Sequence, residues 1–346
     1  MTHNELRKDN LLNRWVVIAK DRARRPTDLA KPRAERSLTS ICPLCVGNES
    51  MTPPAIMLYR NINGKITPTQ DPITGVRPKD WLVRIIPNLY PAFTPPTDET
   101  KVENLFTNPC FRHAIGHHEV IVESPDHNEE PSDASLSQLE LVLKAYISRV
   151  NELSKKEYIK YVSIFRNYGV EAGASLSHAH SQIIATPMVP TIVQEEQDCS
   201  KKFFKEHKKC VFCSIIEEER KSPRLILENE EFVVLAPYAS VNPLEFWILP
   251  KKHASNITNL SETEISVFAR TIKATLRGLK NIVNDPPYNY GIHLSIDPQT
   301  DDYYHWHLEV YPKLAVWAGF EKSTGLYINT VTPESAAESM RDSIKT

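Results

Sequence analysis

Residues 175–187 read SLSHAHSQIIATP, and residues 305–312 read HWHLEVYP. Each holds a histidine, one intervening residue, a second histidine, and a polar side chain two positions on. In the first these are His178, His180 and Gln182; in the second, His305, His307 and Glu309. A helix would scatter such a set around its circumference, whereas a strand turns alternate side chains to one face. The β-branched residues that follow favour the strand.

Working outward, the same order recurs upstream of each stretch. A C-x-x-C pair comes first (Cys42 and Cys45; Cys210 and Cys213), then a strand-like run ending in a histidine (His127; His253), then the H-x-H. His127 precedes His178 by 51 residues, and His253 precedes His305 by 52. Matching order and spacing mark an internal duplication. The gap from C-x-x-C to the first histidine is 82 residues in one copy and 40 in the other, which places an insertion in the Pro-rich residues 50–112.

Around the repeat, residues 15–19, 81–86, 118–124, 161–167 and 180–186 read as strands, and so do 232–238, 245–250, 290–296 and 305–312. Residues 133–155 and 261–284 read as long helices, with Asp133 or Ser135 and then Ser261 as N-caps. Strands, a long helix and further strands in each half predict an α+β fold, mostly antiparallel sheet with helices packed on it. The domains are placed at 1–190 and 200–346, joined by residues 186–200, which lack a clean period and read as a linker.

The 346 residues suit two domains. A net charge of −2 and no basic–aromatic stripe argue against nucleic acid, so an anionic substrate must be held locally. The polar N-terminus and the absence of a long apolar run predict no secretory signal and no membrane partner, and the cytoplasm is the expected location. Paired C-x-x-C motifs with histidines in such a chain read as metal ligands. Cys42, Cys45, His127 and His178 form one expected Cys2His2 zinc site, and Cys210, Cys213, His253 and His305 the other. Cys110 and Cys199 read as ordinary thiols.

With His178 on a metal, His180 and Gln182 remain on the strand face. An imidazole with one nitrogen tied to a backbone carbonyl offers the other as a nucleophile. Gln182 can donate to an oxygen gaining charge. The small-residue turn at Gly173–Ser175 and the Ser175 hydroxyl are suited to phosphate oxygens. The expected chemistry is attack of His180 on phosphorus, with a phospho-histidine intermediate.

The run G173-A-S-L-S-H-A-H-S-Q182 resembles the active-site segment of the galactose-1-phosphate uridylyltransferase family, in the histidine-triad superfamily. N13-R-W-V-V-I-A-K-D-R-A-R-R-P26, V83-R-I-I-P-N-L-Y-P-A92, H118-E-V-I-V-E-S-P-D-H127, F165-R-N-Y-G169 and G319-F-E-K-S-T-G325 extend the resemblance over nearly the whole chain. It implies two fused histidine-triad-like halves, and ping-pong uridylyl transfer between UDP-glucose and galactose 1-phosphate through His180. It also implies phosphate contacts from Gln182, Ser175 and Asn167, a nucleotide near Arg84 and Asn88, and sugar-phosphate contacts from Arg22 and Arg25. Sugar contacts from Gly319, Phe320 and Glu321, and a homodimer, complete what it implies.

Ala179 and Ser181 stand where the family carries Pro and Gly. ADP-glucose phosphorylases, which carry H-S-H-S-Q where this chain has H178-A-H-S-Q182, resemble it there and in G-F-E-x-x-T-G; they transfer an adenylyl group to inorganic phosphate, and that activity is the alternative. Some relatives bind iron through a glutamate and three histidines, for which Glu196, His293, His305 and His307 are the counterparts; the second C-x-x-C favours zinc. His307 then reads as a remnant of the duplicated active site. A non-enzymatic zinc-binding module is the alternative outside this class.

Overall fold

The computed structural model describes residues 3–20, 29, 42–73, 75–97 and 113–345. The strands are β1 (Glu5–Lys8), β2 (Trp15–Ile18), β3 (Met57–Ile62), β4 (Lys65–Thr69), β5 (Trp81–Pro87), β6 (His117–Val122), β7 (Tyr161–Tyr168), β8 (His180–Thr186), β9 (Leu225–Glu228), β10 (Phe232–Leu235), β11 (Phe246–Pro250), β12 (Tyr288–His293), β13 (His307–Pro312) and β14 (Tyr327–Asn329). The helices are α1 (Leu136–Leu153), α2 (Thr191–His207), α3 (Val211–Glu219), α4 (Glu262–Val283), α5 (Gly319–Thr324) and α6 (Pro333–Lys345).

Among the described residues, eleven strands form one sheet in the order β4-β3-β5-β6-β8-β7-β12-β13-β11-β10-β9. The order mirrors about the β7–β12 pair: β3, β5, β6, β8 and β7 answer β9, β10, β11, β13 and β12. The duplication is thus written into the sheet, whose pairs are all antiparallel. The expected α+β class, antiparallel sheet with helices packed on it, is what forms. β1 and β2 pair with each other, and β2 runs parallel to β14, so the start of the chain lies against its end.

The period-2 pattern sorts the sheet's side chains into two faces. One is apolar and covered by the long helices: Ile121, Ile164, Ile183, Ile292, Leu308 and Val310 pack with Leu139, Tyr146 and Val150 of α1 and with Phe268, Ile272 and Leu276 of α4. These helices start where their caps predict. The Ser135 hydroxyl accepts from Gln138 N–H at 3.1 Å, and Ser261 and Glu264 form a capping box. The other face carries His180, Gln182, Phe165 and Asn167 at the centre.

Two expectations change. The stretch 186–200 is largely helix α2, whose buried side chains include Glu196, Gln197 and Ser200 beside Val193. Its buried side mixes Val193 with Glu196, Gln197 and Ser200, so few apolar residues mark the helix within 186–200 and the stretch reads as a linker. His178 and His305 lie in the bends just before β8 and β13, so only His180 with Gln182, and His307 with Glu309, share a strand face. The bend lets the first histidine of each pair turn from the second.

Candidate active site and metal centres

The first histidine of each H-x-H faces a C-x-x-C pair, with all four ligand atoms of each group within 4.8 Å of one another. Cys42 Sγ is 3.7 Å and Cys45 Sγ 3.5 Å from His178 Nδ1, and Cys45 Sγ is 3.2 Å from His127 Nδ1. In the second half Cys213 Sγ is 3.5 Å from His253 Nδ1 and 3.6 Å from His305 Nδ1. Zinc bonds of about 2.3 Å to sulfur and about 2.0 Å to nitrogen give a tetrahedral edge of about 3.5 Å, which these separations match.

The outer nitrogens support the same reading. His178 Nε2 donates to Ser124 O (2.8 Å), His253 Nε2 to Asp301 O (2.7 Å) and His305 Nε2 to Pro250 O (2.9 Å). A carbonyl only accepts, so each Nε2 carries the proton and each Nδ1 turns a lone pair to the sulfurs. Burial pushes His178 down to about 4, which keeps that lone pair free. Both expected Cys2His2 groups are therefore assembled as groups able to hold a metal.

His180 opens β8. Its Nδ1 lies 2.8 Å from His178 O and must donate to it, which leaves Nε2 bare. Burial, with the Arg166 guanidinium nearby, lowers its affinity for a proton, so the neutral imidazole is the resting form. Arg166 is itself buried, paired with Glu123 and Glu130, and its Nη1 reaches His180 O at 3.2 Å. The backbone of His180 is thus held from the helix side of the sheet. A bare Nε2 on a half-open strand face can attack an electrophilic phosphorus.

The other expected site residues fall into three groups. Gln182 and Asn167 share the His180 face, Asn88 reaches it through His118 (3.1 Å from Asn88 Nδ2), and Ser175 sits exposed in the loop after Gly173. Gly173 has φ +87°, a left-handed conformation that favours glycine. Arg84 departs from its expected place beside a nucleotide. It is 1% exposed, paired with Asp71 (3.1 Å) and bonded to Thr52 Oγ1 (2.8 Å), where it braces the loop after the first Cys pair. Gly319, Phe320 and Glu321 open α5, where Glu321 accepts from Ala318 N–H (2.9 Å). Arg22 and Arg25 lie outside the described residues.

The four groups Glu196, His293, His305 and His307 do not assemble as one set. His305 faces Cys213, and Glu309 joins Glu196, His293 and His307 instead. Sequence reasoning missed His118 and Asn289. His118 Nε2 is 2.8 Å from Gln182 Oε1, and Asn289 Nδ2 is 2.8 Å from Asn167 Oδ1. The available signal was alternation: His118 stands in phase with Val120 and Val122, which lie in register beside Gln182 and His180 on the neighbouring strand.

A family model described as galactose-1-phosphate uridyl transferase, N-terminal domain, matches residues 1–190, and one described as a domain of unknown function matches residues 114–346. An ADP-glucose phosphorylase from Arabidopsis thaliana is 38% identical over 98% of this chain and 92% of its own length. A galactose-1-phosphate uridylyltransferase from Thermotoga maritima is 28% identical over 98% of each. The crystal structure of an ADP-glucose phosphorylase from Arabidopsis thaliana with bound ADP-glucose superposes with a TM-score of 0.79 at 35% identity, covering 98% of this chain and 99% of that one. A uridylyltransferase structure superposes with a TM-score of 0.73 at 28% identity, covering 99% of each.

Proposed function

The chain belongs to the galactose-1-phosphate uridyl transferase family of nucleotidyltransferases, and from that premise we propose that it transfers an adenylyl group from ADP-glucose to inorganic phosphate through His180. The observation that carries the chemistry is the bare Nε2 of His180, set by the 2.8 Å bond from Nδ1 to His178 O in the bend before β8. The choice of adenylyl over uridylyl rests on the 38% identity to an ADP-glucose phosphorylase against 28% to a uridylyltransferase, both over 98% of the chain.

In the first step His180 Nε2 attacks the phosphorus that carries adenosine. The N–P bond forms, the P–O bond to glucose 1-phosphate breaks, and glucose 1-phosphate leaves with the electron pair. The ring gains positive charge, which strengthens the Nδ1–H bond to His178 O. In the second step a phosphate oxygen attacks the same phosphorus, the N–P bond breaks, and ADP departs. Two displacements at one histidine regenerate the neutral ring. Gln182, Asn167 and Ser175 hold the phosphate oxygens.

We assign zinc to both Cys2His2 groups, since thiolate and imidazole in a closed tetrahedral set suit it. When bound it supplies rigidity: Cys42, Cys45, His127 and His178 hold the bend that sets His180. Uridylyl transfer between UDP-glucose and galactose 1-phosphate is the second reading, favoured by the family model on residues 1–190.

Intact-mass measurement after separate exposure to ADP-glucose and UDP-glucose decides between them. An adenylyl increment in the natural protein, lost in His180→Asn, is the expected result. A uridylyl increment alone transfers the assignment to the second reading. No increment from either donor overturns the covalent mechanism.

A further inference from the structure

Two amides on the His180 face, Gln182 and Asn167, can present either a carbonyl oxygen or an amino group to a ligand. Which end faces outward is decided by groups behind them, and backbone atoms fix the answer. Ala92 N–H donates to His118 Nδ1 at 3.1 Å. Because a backbone N–H only donates, Nδ1 is bare and the neutral ring carries its proton on Nε2. That N–H faces the Gln182 side chain at 2.8 Å, so the atom there is the carbonyl oxygen Oε1 and the amino group turns away. Asn88 does not compete for this proton. Its Oδ1 accepts from Tyr90 N–H at 2.9 Å, so the end 3.1 Å from His118 Nε2 is its amino group, a donor that makes no hydrogen bond to the N–H there.

Asn167 is set in the same manner from the other half of the chain. Asn289 Nδ2 lies 2.7 Å from Ala172 O, and a carbonyl only accepts, so this end of Asn289 is its amino group. The same Nδ2 is 2.8 Å from Asn167, which makes the facing atom Oδ1. The amino groups of Gln182 and Asn167 make no hydrogen bond among the described residues, and neither is enclosed. A Cβ placed on Gly173 would come 3.9 Å from Asn167 Nδ2, so that amino group borders the glycine turn before Ser175.

We infer that His118 and Asn289 are positioning residues that fix the polarity of Gln182 and Asn167, so that both amides offer N–H donors to an anionic phosphate. The inference rests on the proposed nucleotidyl transfer for its ligand, not for its geometry. It gives the second half a part in the reaction: Asn289 sits on β12 and reaches across the β7–β12 seam.

The test uses the full chain with His118→Phe, His118→Gln and Asn289→Asp. A carboxylate in place of the Asn289 amide has no donor, so Asn167 should rotate and show its oxygen to the phosphate. Both His118→Phe and Asn289→Asp should slow nucleotidyl-enzyme formation about 10- to 100-fold, with KM for the nucleotide sugar within about threefold. His118→Gln, which keeps an N–H, should recover most of the rate. His118→Phe should cost nothing further in a Gln182→Ala background, and Asn289→Asp nothing further in an Asn167→Ala background. Additive losses in those backgrounds would overturn the inference, since they signal general damage. A readout without turnover is the side-chain amide spectrum of protein labelled with 15N at Asn and Gln. His118→Phe should shift the Gln182 amino pair and spare Asn167, and Asn289→Asp the reverse. If the Gln182 pair does not move in His118→Phe, the inference fails whatever the substrate. If the pairs move as expected but no donor labels His180, the inference stands and the proposed function fails.

Discussion

The face around His180 and the face around His307 are copies, yet only one is open. In each, Nδ1 of the second histidine is tied to the carbonyl of the first, at 2.8 Å for His180 and 3.1 Å for His307. The difference lies at Nε2. His180 Nε2 is bare, whereas His307 Nε2 meets Glu309 Oε1 at 3.1 Å. The rings of Phe212 and His293 stand 4.8 and 5.0 Å from that of His307, and Glu196 on α2 pairs with His293 at 2.9 Å. The segment joining the halves folds back as α2 and α3 and covers the second face. The second imidazole is therefore closed off by a carboxylate cap and a helical cover while the strand beneath it stays the same.

The strongest way to break this comparison is to exchange the losses. His180→Asn should reduce covalent nucleotidylation on the order of 10³-fold or more. His307→Asn should leave the labelling stoichiometry unchanged and lower thermal stability instead. The measurement is intact mass with a melting curve on each variant. Labelling that survives His180→Asn and vanishes in His307→Asn would reverse the assignment of the halves.

Metal removal gives the next contrast. Cys45→Ser and Cys213→Ser should each lower the metal content by one ion per chain and reduce Tm. Only Cys45→Ser should also reduce the rate of nucleotidylation, by about 10-fold, because His178 stands two residues from the nucleophile. Metal analysis beside single-turnover rates checks this. Equal rate losses would mean that the second centre also positions the chemistry.

Much of this was legible in the sequence. H-x-H at matched distance from C-x-x-C identified both metal groups, and alternation identified His180 with Gln182. Arg84 misled because sequence cannot distinguish an arginine reaching a ligand from one buried against Asp71, which lies 13 residues upstream. Asn289 was hidden because its partner, Asn167, lies across a seam 122 residues away. The α2 cover was hidden because it buries Glu196 and Gln197 where an amphipathic pattern would carry apolar residues. What failed to show was long-range polar pairing, which leaves no period in the chain.

The smallest expected effect concerns what the covered face costs the second half. Glu245 is buried and accepts from Val241 N–H (3.0 Å), Asn242 N–H (2.9 Å) and Asn242 Nδ2 (3.0 Å). Burial pushes its carboxyl up to about 7, the nearby Glu309 adds to this, and Arg14 offsets part of it. In the unfolded chain an ordinary glutamate titrates near about 4.3. Between those values the folded state holds a proton that the unfolded state releases, so this group's stabilising contribution is complete below about 4.3 and is lost as pH rises to about 7. The loss is on the order of 3–4 kcal/mol. Glu245→Gln keeps a carbonyl acceptor for the three N–H donors and removes the titration. Urea unfolding at pH 5 and pH 8 should then show a smaller difference in the variant than in the natural protein. An unchanged difference would move the source of the pH dependence to His293, which its carboxylate neighbours raise to about 9, and so into the cluster that closes off His307.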